Sequence, residues 1–152
     1  MKSICIILAR GGSKGLKHKN IKKLDGKPLI YYPIMHAKKS KVIDKIIVST
    51  DNYKIAKMAK LYGAEVPFIR PKKLSMDKTT TEDSLKHALL TYEKISKTKF
   101  DICVFLTATD IFRKTNWIVN SVNILKKNQR LESVFSGNET HKNFWEWDKK
   151  KK

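Results

Sequence analysis

The sequence predicts an α/β domain built on a mostly parallel sheet with helices on both faces. Three observations lead there. Short apolar runs alternate with segments of helical periodicity along the whole chain. The runs at 3–9 and 102–106 are apolar without alternation, as strands buried on both faces are. A helix-period segment stands between successive strand-like runs, an order that implies a parallel sheet with helices on both faces. At 152 residues the chain fits one domain with a substantial core.

The elements follow in order. Residues 3–9 form the first strand. Residues 28–40 form a helix, with Pro28 near its first position and Ile30, Ile34 and Ala37 on one face. Ile46-Ile47-Val48 is the second strand. Asp51 or Asn52 caps a helix whose apolar positions are Ile55, Met58, Ala59 and Tyr62, and Gly63 ends it. Residues 65–69 give a third strand. Thr80-Thr81-Glu82-Asp83 offers a capping box for a helix carrying Leu85, Ala88, Leu89, Tyr92 and Ile95. Residues 102–106 are the fourth strand. Thr115 caps a helix with Ile118, Val122 and Leu125, and 133–136 is a fifth strand. Residues 1–147 make the domain and 148–152 a polar, lysine-rich tail.

The loop after the first strand carries the chemistry. Arg10-Gly11-Gly12-Ser13-Lys14-Gly15-Leu16-Lys17-His18-Lys19-Asn20 combines three glycines with a row of cations. Glycine lets the backbone approach a phosphate and turn its N–H groups inward. Arg and Lys supply charge-assisted hydrogen bonds to phosphate oxygens. At an effective dielectric of 20, one cation about 4 Å from a phosphate charge contributes roughly 4 kcal/mol. The spacing matches neither the P-loop nor the Gly-x-Gly-x-x-Gly fingerprint, because position 13 is Ser. In an open parallel sheet, ligands bind beyond the carboxyl ends of the strands. The Arg10 loop, Asp51, Arg70 and the 107–113 loop all follow strands and are expected to face one crevice.

Residue for residue, 8–20 resembles the opening loop of the N-acylneuraminate cytidylyltransferases, also called CMP-sialic acid synthetases. The similarity continues through Asp25-Gly26-Lys27-Pro28-Leu29-Ile30, Val48-Ser49-Thr50-Asp51, the segment from Tyr62 to Pro71, and Asp77 with the Thr-rich run after it. The resemblance implies a Rossmann-like nucleotidyltransferase fold. It also implies CTP-dependent cytidylyl transfer to a sialic-acid-type nonulosonic acid, giving a CMP-sugar and pyrophosphate. Arg10 and Lys19 are then the catalytic cations. Arg10, Gly11, Gly12, Ser13, Lys14, Asn20, Arg70, Asp77, Thr107 and Thr109 bind the nucleotide, with Asp77 bonding ribose or a backbone turn. Mg²⁺ is the implied cofactor, its ligands unassigned. A homodimer is implied for full-length relatives.

The departures are specific. Where the family reads Leu-Gln-Pro/Ala-Thr-Ser-Pro-Leu-Arg, this chain reads Leu106-Thr107-Ala108-Thr109-Asp110-Ile111-Phe112-Arg113. Thr107 cannot offer both an amide donor and a carbonyl acceptor, as the family's glutamine does. Asp110 adds a carboxylate that either ligates magnesium or caps the next turn. Trp145 and Trp147 line a sugar pocket or pack in a core or interface. The family runs longer and carries late metal-binding carboxylates, so the chain is expected to be incomplete at its C-terminus or completed by a partner. Two alternatives stand beside this reading: a non-catalytic CTP-binding remnant, and another sugar nucleotidyltransferase of the CMP-Kdo type.

The net charge of +19 raises nucleic acid as a partner. But 29 of the 33 basic residues are lysines spread over every helix, which describes a solvated surface rather than a binding stripe. No specific nucleic acid and no membrane is expected, since no run is long enough to span a bilayer. Cys5 and Cys103 fall in strand-like runs and make no metal spacing with the four histidines. Both are expected as buried free thiols of a cytoplasmic protein.

Overall fold

The computed structural model describes residues 1–137; Trp145, Trp147 and the 148–152 tail lie outside them. A three-stranded parallel sheet organises the domain. It is formed by β1 (Ser3–Leu8), β4 (Lys45–Ser49) and β5 (Ile102–Thr107), in the order β4-β1-β5. A small antiparallel hairpin pairs β2 (Lys23–Leu24) with β3 (Lys27–Pro28). Four helices complete the fold: α1 (Tyr31–Ser40), α2 (Tyr53–Leu61), α3 (Thr81–Ser96) and α4 (Thr115–Lys127).

The central strand explains the two layers of helices. Side chains of a strand alternate between faces. Cys5 and Ile7 point into a core shared with Ile30, Ile34 and Ala37 around α1, Ile55 and Ala59 of α2, and Ile118 of α4. Ile4 and Ile6 point the other way, onto Ala88 and Tyr92 of α3. All four β1 residues have 0% exposure. Burying one such isoleucine is worth about 1.5–3 kcal/mol, so β1 cannot leave its place without losing both cores. Helices therefore cover both faces, as the run pattern predicts.

Several expectations need correction. The first helix starts at Tyr31 rather than Pro28, because Pro28 pairs with Lys23 across an Asp25-Gly26 turn in which both residues have positive φ. Such a two-residue turn twists as a hairpin needs, and Asp-Gly suits it. The third strand at 65–69 is reduced to two parallel bridges, Ile47 with Glu65 and Thr50 with Ile69. Between them sits Pro67, which has no N–H for a ladder. The fifth strand at 133–136 does not form. A strand needs a hydrogen-bonded neighbour, and among the described residues β5 pairs with β1 alone. That edge position also leaves Cys103 exposed, while Cys5 is buried as expected; both thiols are free.

The caps agree more closely. Asn52, not Asp51, caps α2, its side chain accepting from the Lys54 and Ile55 N–H groups. Gly63 follows with φ +87°, in the left-handed region. Thr80 caps α3 by accepting from Asp83 N–H at 3.1 Å. Thr115 does not cap α4; its hydroxyl sits 3.1 Å from His36 Nδ1 and joins α4 to α1. Among the described residues no helix is long and apolar enough to cross a membrane.

Asp44 pins the entry of β1. Its carboxylate accepts from Ser3 N–H at 2.6 Å and from Ser3 Oγ at 2.9 Å. The Ser3 backbone bond, followed by the hydroxyl, holds its pKa below the ordinary value. A carboxyl whose pKa is depressed by folding stabilises the protein above its unfolded pKa and ceases to do so as pH falls through the folded value. Asp44→Asn should lower unfolding stability by about 1 kcal/mol at pH 7. The gap to the parent should narrow below about pH 4. Urea titrations at several pH values check both.

Candidate functional site

The crevice opens where β1 and β5 end side by side, with Leu8 in register with Thr107. It has a volume of about 390 Å³, a size suited to a nucleotide. Its floor is Leu8, Thr107, Ala108 and Thr109, from the ends of the two strands. One wall is Arg10, Ser13, Lys19 and Asn20 from the glycine-rich loop. The other is Arg70 and the segment from Leu74 into the first turn of α3.

The loop is tied down at three points. Ala9 N–H donates to Ser49 O at 3.0 Å, which carries the β1–β4 pairing one step past the strand. Gly11 N–H donates to Asp51 Oδ1 at 2.7 Å. The buried Asn20 carboxamide donates to Arg10 O at 2.9 Å, closing the loop on itself. Gly11 is also the place where glycine is required by contact. A Cβ there would lie 2.9 Å from both Cβ and Nδ2 of Asn52, the residue that caps α2. Asp51 and Asn52 thus divide two jobs between them: one holds the loop and the other starts the helix.

The cations are held in distinct ways. Arg70 is 4% exposed; its N–H donates to Thr50 O at 2.8 Å and its Nε to Ser75 Oγ at 3.1 Å. Burial lowers the pKa of its guanidinium, while Asp51 opposes that shift and Arg10 adds to it. Arg10 Nη1 lies 2.9 Å from Asp77 Oδ1, and Lys14 Nζ lies 2.6 Å from Asp77 Oδ2. The Lys14 bond, then the Arg10 bond, overcome partial desolvation and hold the Asp77 carboxyl below its ordinary pKa. Lys19 stands in a short 3-10 turn, Lys19–Ile21, directly against the crevice.

The structure therefore brings Arg10, Ser13, Lys19, Asn20, Arg70, Asp77, Thr107 and Thr109 to one opening. Lys14 reaches it through Asp77, and Gly11 and Gly12 belong to the same loop without lining the opening. The 107–113 loop splits. Thr107 and Thr109 face the crevice, whereas Asp110 pairs with Arg113 at 2.9 Å and both face a separate groove beside the β5 edge. Asp110 is therefore directed away from the phosphate-suited loop. Sequence reading missed Ser75, which seats Arg70, and the contribution of Thr81 and Ser84 to the wall. The Thr-rich run signalled a helix cap, and its second role depends on which way that helix end faces.

Among the described residues no group of three His, Cys, Asp or Glu side chains is placed to hold a metal ion. The three carboxylates in this region are already engaged: Asp51 by Gly11, Asp77 by two cations, and Asp110 by Arg113.

The two loop glycines separate contact from flexibility. Gly11→Ala should destabilise the protein by about 1–2 kcal/mol by pushing on the α2 cap. Gly12→Ala meets nothing within 4 Å and should melt close to the parent. Thermal melts of the two variants side by side check this.

Comparisons with known proteins address the fold and the family. A family model described as Cytidylyltransferase matches residues 4–145. The chain is 43% identical over 106 residues to the CMP-N,N'-diacetyllegionaminic acid synthase of Campylobacter jejuni, covering 70% of this chain and 45% of that protein. It is 36% identical over 141 residues to the N-acylneuraminate cytidylyltransferase of Escherichia coli, covering 93% of this chain and 32% of that protein. The structure of CMP:2-keto-3-deoxy-manno-octonic acid synthetase complexed with CTP superposes with a TM-score of 0.70 at 19% identity, over 86% of this chain and 50% of that one. The chain thus spans half or less of the length of these relatives. That superposition gives the fold, and the family match over nearly the whole sequence gives the kinship: the chain belongs to the cytidylyltransferase family.

Proposed function

We propose that this chain binds CTP and supplies the nucleotide half of an enzyme that transfers a cytidylyl group to a nonulosonic acid. The observation that carries the reading is the convergence of Arg10, Lys19 and the buried Arg70 on one strand-end crevice that also presents Ser13, Thr107 and Thr109. Fixed cations suit the phosphates, and neutral hydroxyls suit a base or sugar. The names of the relatives, a legionaminic acid synthase and an N-acylneuraminate cytidylyltransferase, support the sugar class.

In this reaction a hydroxyl oxygen of the sugar acid attacks the α-phosphorus in line. The new O–P bond forms as the α–β phosphoanhydride bond breaks; the hydroxyl proton passes to water and pyrophosphate departs. Arg10 and Lys19 lie where they would take up charge developing on the phosphate oxygens, the part of such catalysis that preorganised cations perform. The buried Arg70 is already desolvated and keyed to Ser75, so it loses little freedom when a phosphate or base arrives. Magnesium bound with the triphosphate would supply further neutralisation of phosphate charge beside Arg10 and Lys19. The reaction belongs in the cytoplasm, where CTP is available. The scattered lysines serve the surface and not a nucleic-acid partner.

Calorimetry with CTP and magnesium, against ATP, GTP and UTP, tests the nucleotide half, and selective CTP binding is expected. Arg10→Ala should weaken CTP about tenfold to a hundredfold, the loss of a charged hydrogen-bond donor. Unchanged affinity would remove the loop from the site. Thr107→Gln should sharpen the preference for CTP over UTP, since an amide restores both a donor and an acceptor at the strand end. Release of pyrophosphate on adding a nonulosonic acid separates turnover from binding alone.

A further inference from the structure

We propose that Asp77 is an internal anion that occupies the loop cations until a phosphate displaces it, so that it sets the affinity of the crevice for charged ligands. This rests on the reading of the crevice as a nucleotide site and assigns that site its ligand-free partner.

The geometry is that of a clamp. One carboxylate reaches two cations of the glycine-rich loop with separate oxygens, Oδ1 to Arg10 at 2.9 Å and Oδ2 to Lys14 at 2.6 Å. Arg10 and Asp77 are 67 residues apart in sequence and meet across the crevice from opposite walls. A carboxylate presents two oxygens much as a phosphate does, and guanidinium and ammonium groups recognise both. The clamp is open to water: the Arg10, Lys14 and Asp77 side chains are 37%, 79% and 45% exposed. Exposed pairs of this kind are weak enough for a ligand of higher charge to replace.

The other charges of the site do not share this arrangement. Arg70 is buried and held by Ser75, and Asp51 spends its Oδ1 on the Gly11 N–H. These are fixed parts of the wall. Asp77 alone among the described carboxylates pairs with both an Arg and a Lys of the loop. A ligand entering between the walls must either contact Asp77, at an electrostatic cost, or take its two cations. A polyphosphate can take them, whereas an uncharged nucleoside cannot. The residue thereby discriminates by ligand charge.

Asp77→Asn keeps the side-chain shape and removes the competing charge. CTP should then bind about threefold to tenfold more tightly, reflecting the release of two exposed ion pairs, while cytidine affinity stays unchanged. In the ligand-free protein, the hydrogen-bonded amides of Gly11 and Ser13 should exchange faster in the variant, because the loop has lost its cross-crevice tie. Weaker CTP binding in Asp77→Asn would overturn the proposal and make Asp77 a direct nucleotide contact. Unchanged exchange would overturn it whether or not the chain binds CTP. Faster exchange without tighter CTP binding would reduce Asp77 to a structural tie and equally overturn it. Absence of CTP binding in the parent together with faster exchange in the variant would instead break the nucleotide reading on which the gate depends.

Discussion

Everything in this domain hangs on the burial of the centre of β1. Its residues from Ile4 to Ile7 are at 0% exposure, with strands paired on both edges and helices packed on both faces. Such a strand has no freedom to shift, since sliding it by one residue would exchange the two cores. The chain leaves this fixed point at Leu8 and within two residues reaches Arg10. Hydrophobic packing therefore fixes where the chain enters the loop, and the bonds from Asn20 to Arg10 O and from Arg10 to Asp77 then hold Arg10 itself. Truncating one of these isoleucines to alanine would cost about 2–5 kcal/mol, a large share of the stability of a small domain.

The second face is secured by polar pairs at the periphery. Tyr92 of α3 donates its hydroxyl to Glu65 Oε2 at 2.7 Å, and Lys45 of β4 binds the same carboxylate at 3.0 Å. Burial raises the pKa of Glu65, but these bonds more than offset it. Desolvation and the nearby carboxylate push Tyr92 up to about 12, so it stays a donor across the physiological range. At the end of α3, Glu93 accepts from Phe100 N–H at 3.0 Å and from Lys99 at 2.6 Å. With its body fixed in this way, α3 presents its first turn to the crevice, and Thr80 can serve both as cap and as wall.

The site itself balances like charges. Arg10 and Arg70 repel, and carboxylates placed on different elements keep the arrangement together. Asp51 ties the loop through a backbone amide, Asp77 neutralises the exposed cations, and Asp110 is diverted to Arg113 on the far side of the 107–113 loop. The crevice is consequently rich in positive charge that is already positioned but only partly neutralised. That is the preorganisation a polyanionic ligand rewards. It also gives the contact-restricted Gly11 its purpose: the loop must pass against the α2 cap to bring Arg10 round to the opening.

By itself the sequence determined the general alternation of strands and helices, the cap at Thr80, the stop at Gly63, the choice of Asp51 or Asn52 for the α2 cap, and the loop whose composition suits phosphates. These are local signals, fixed by hydrogen-bond chemistry and side-chain periodicity over a few residues. The kinship was legible because several such motifs stand in one order. Tertiary structure decided the rest. Pro67 had to meet a neighbouring strand before its missing N–H interrupted a ladder, and 133–136 needed a partner strand that β5 does not provide among the described residues. The helix read from residue 28 starts later because Pro28 is paired across the Asp25-Gly26 turn, a pairing visible only in the folded chain. Asp51 and Asp110 looked alike as acids following strands, and only the folded chain assigned one to a backbone amide and the other to Arg113. Asp77 meets Arg10 across 67 residues of chain, and no local pattern encodes so long a contact. Hydrogen bonds and ion pairs are selected by distance in space, and that distance is the product of the whole packed core.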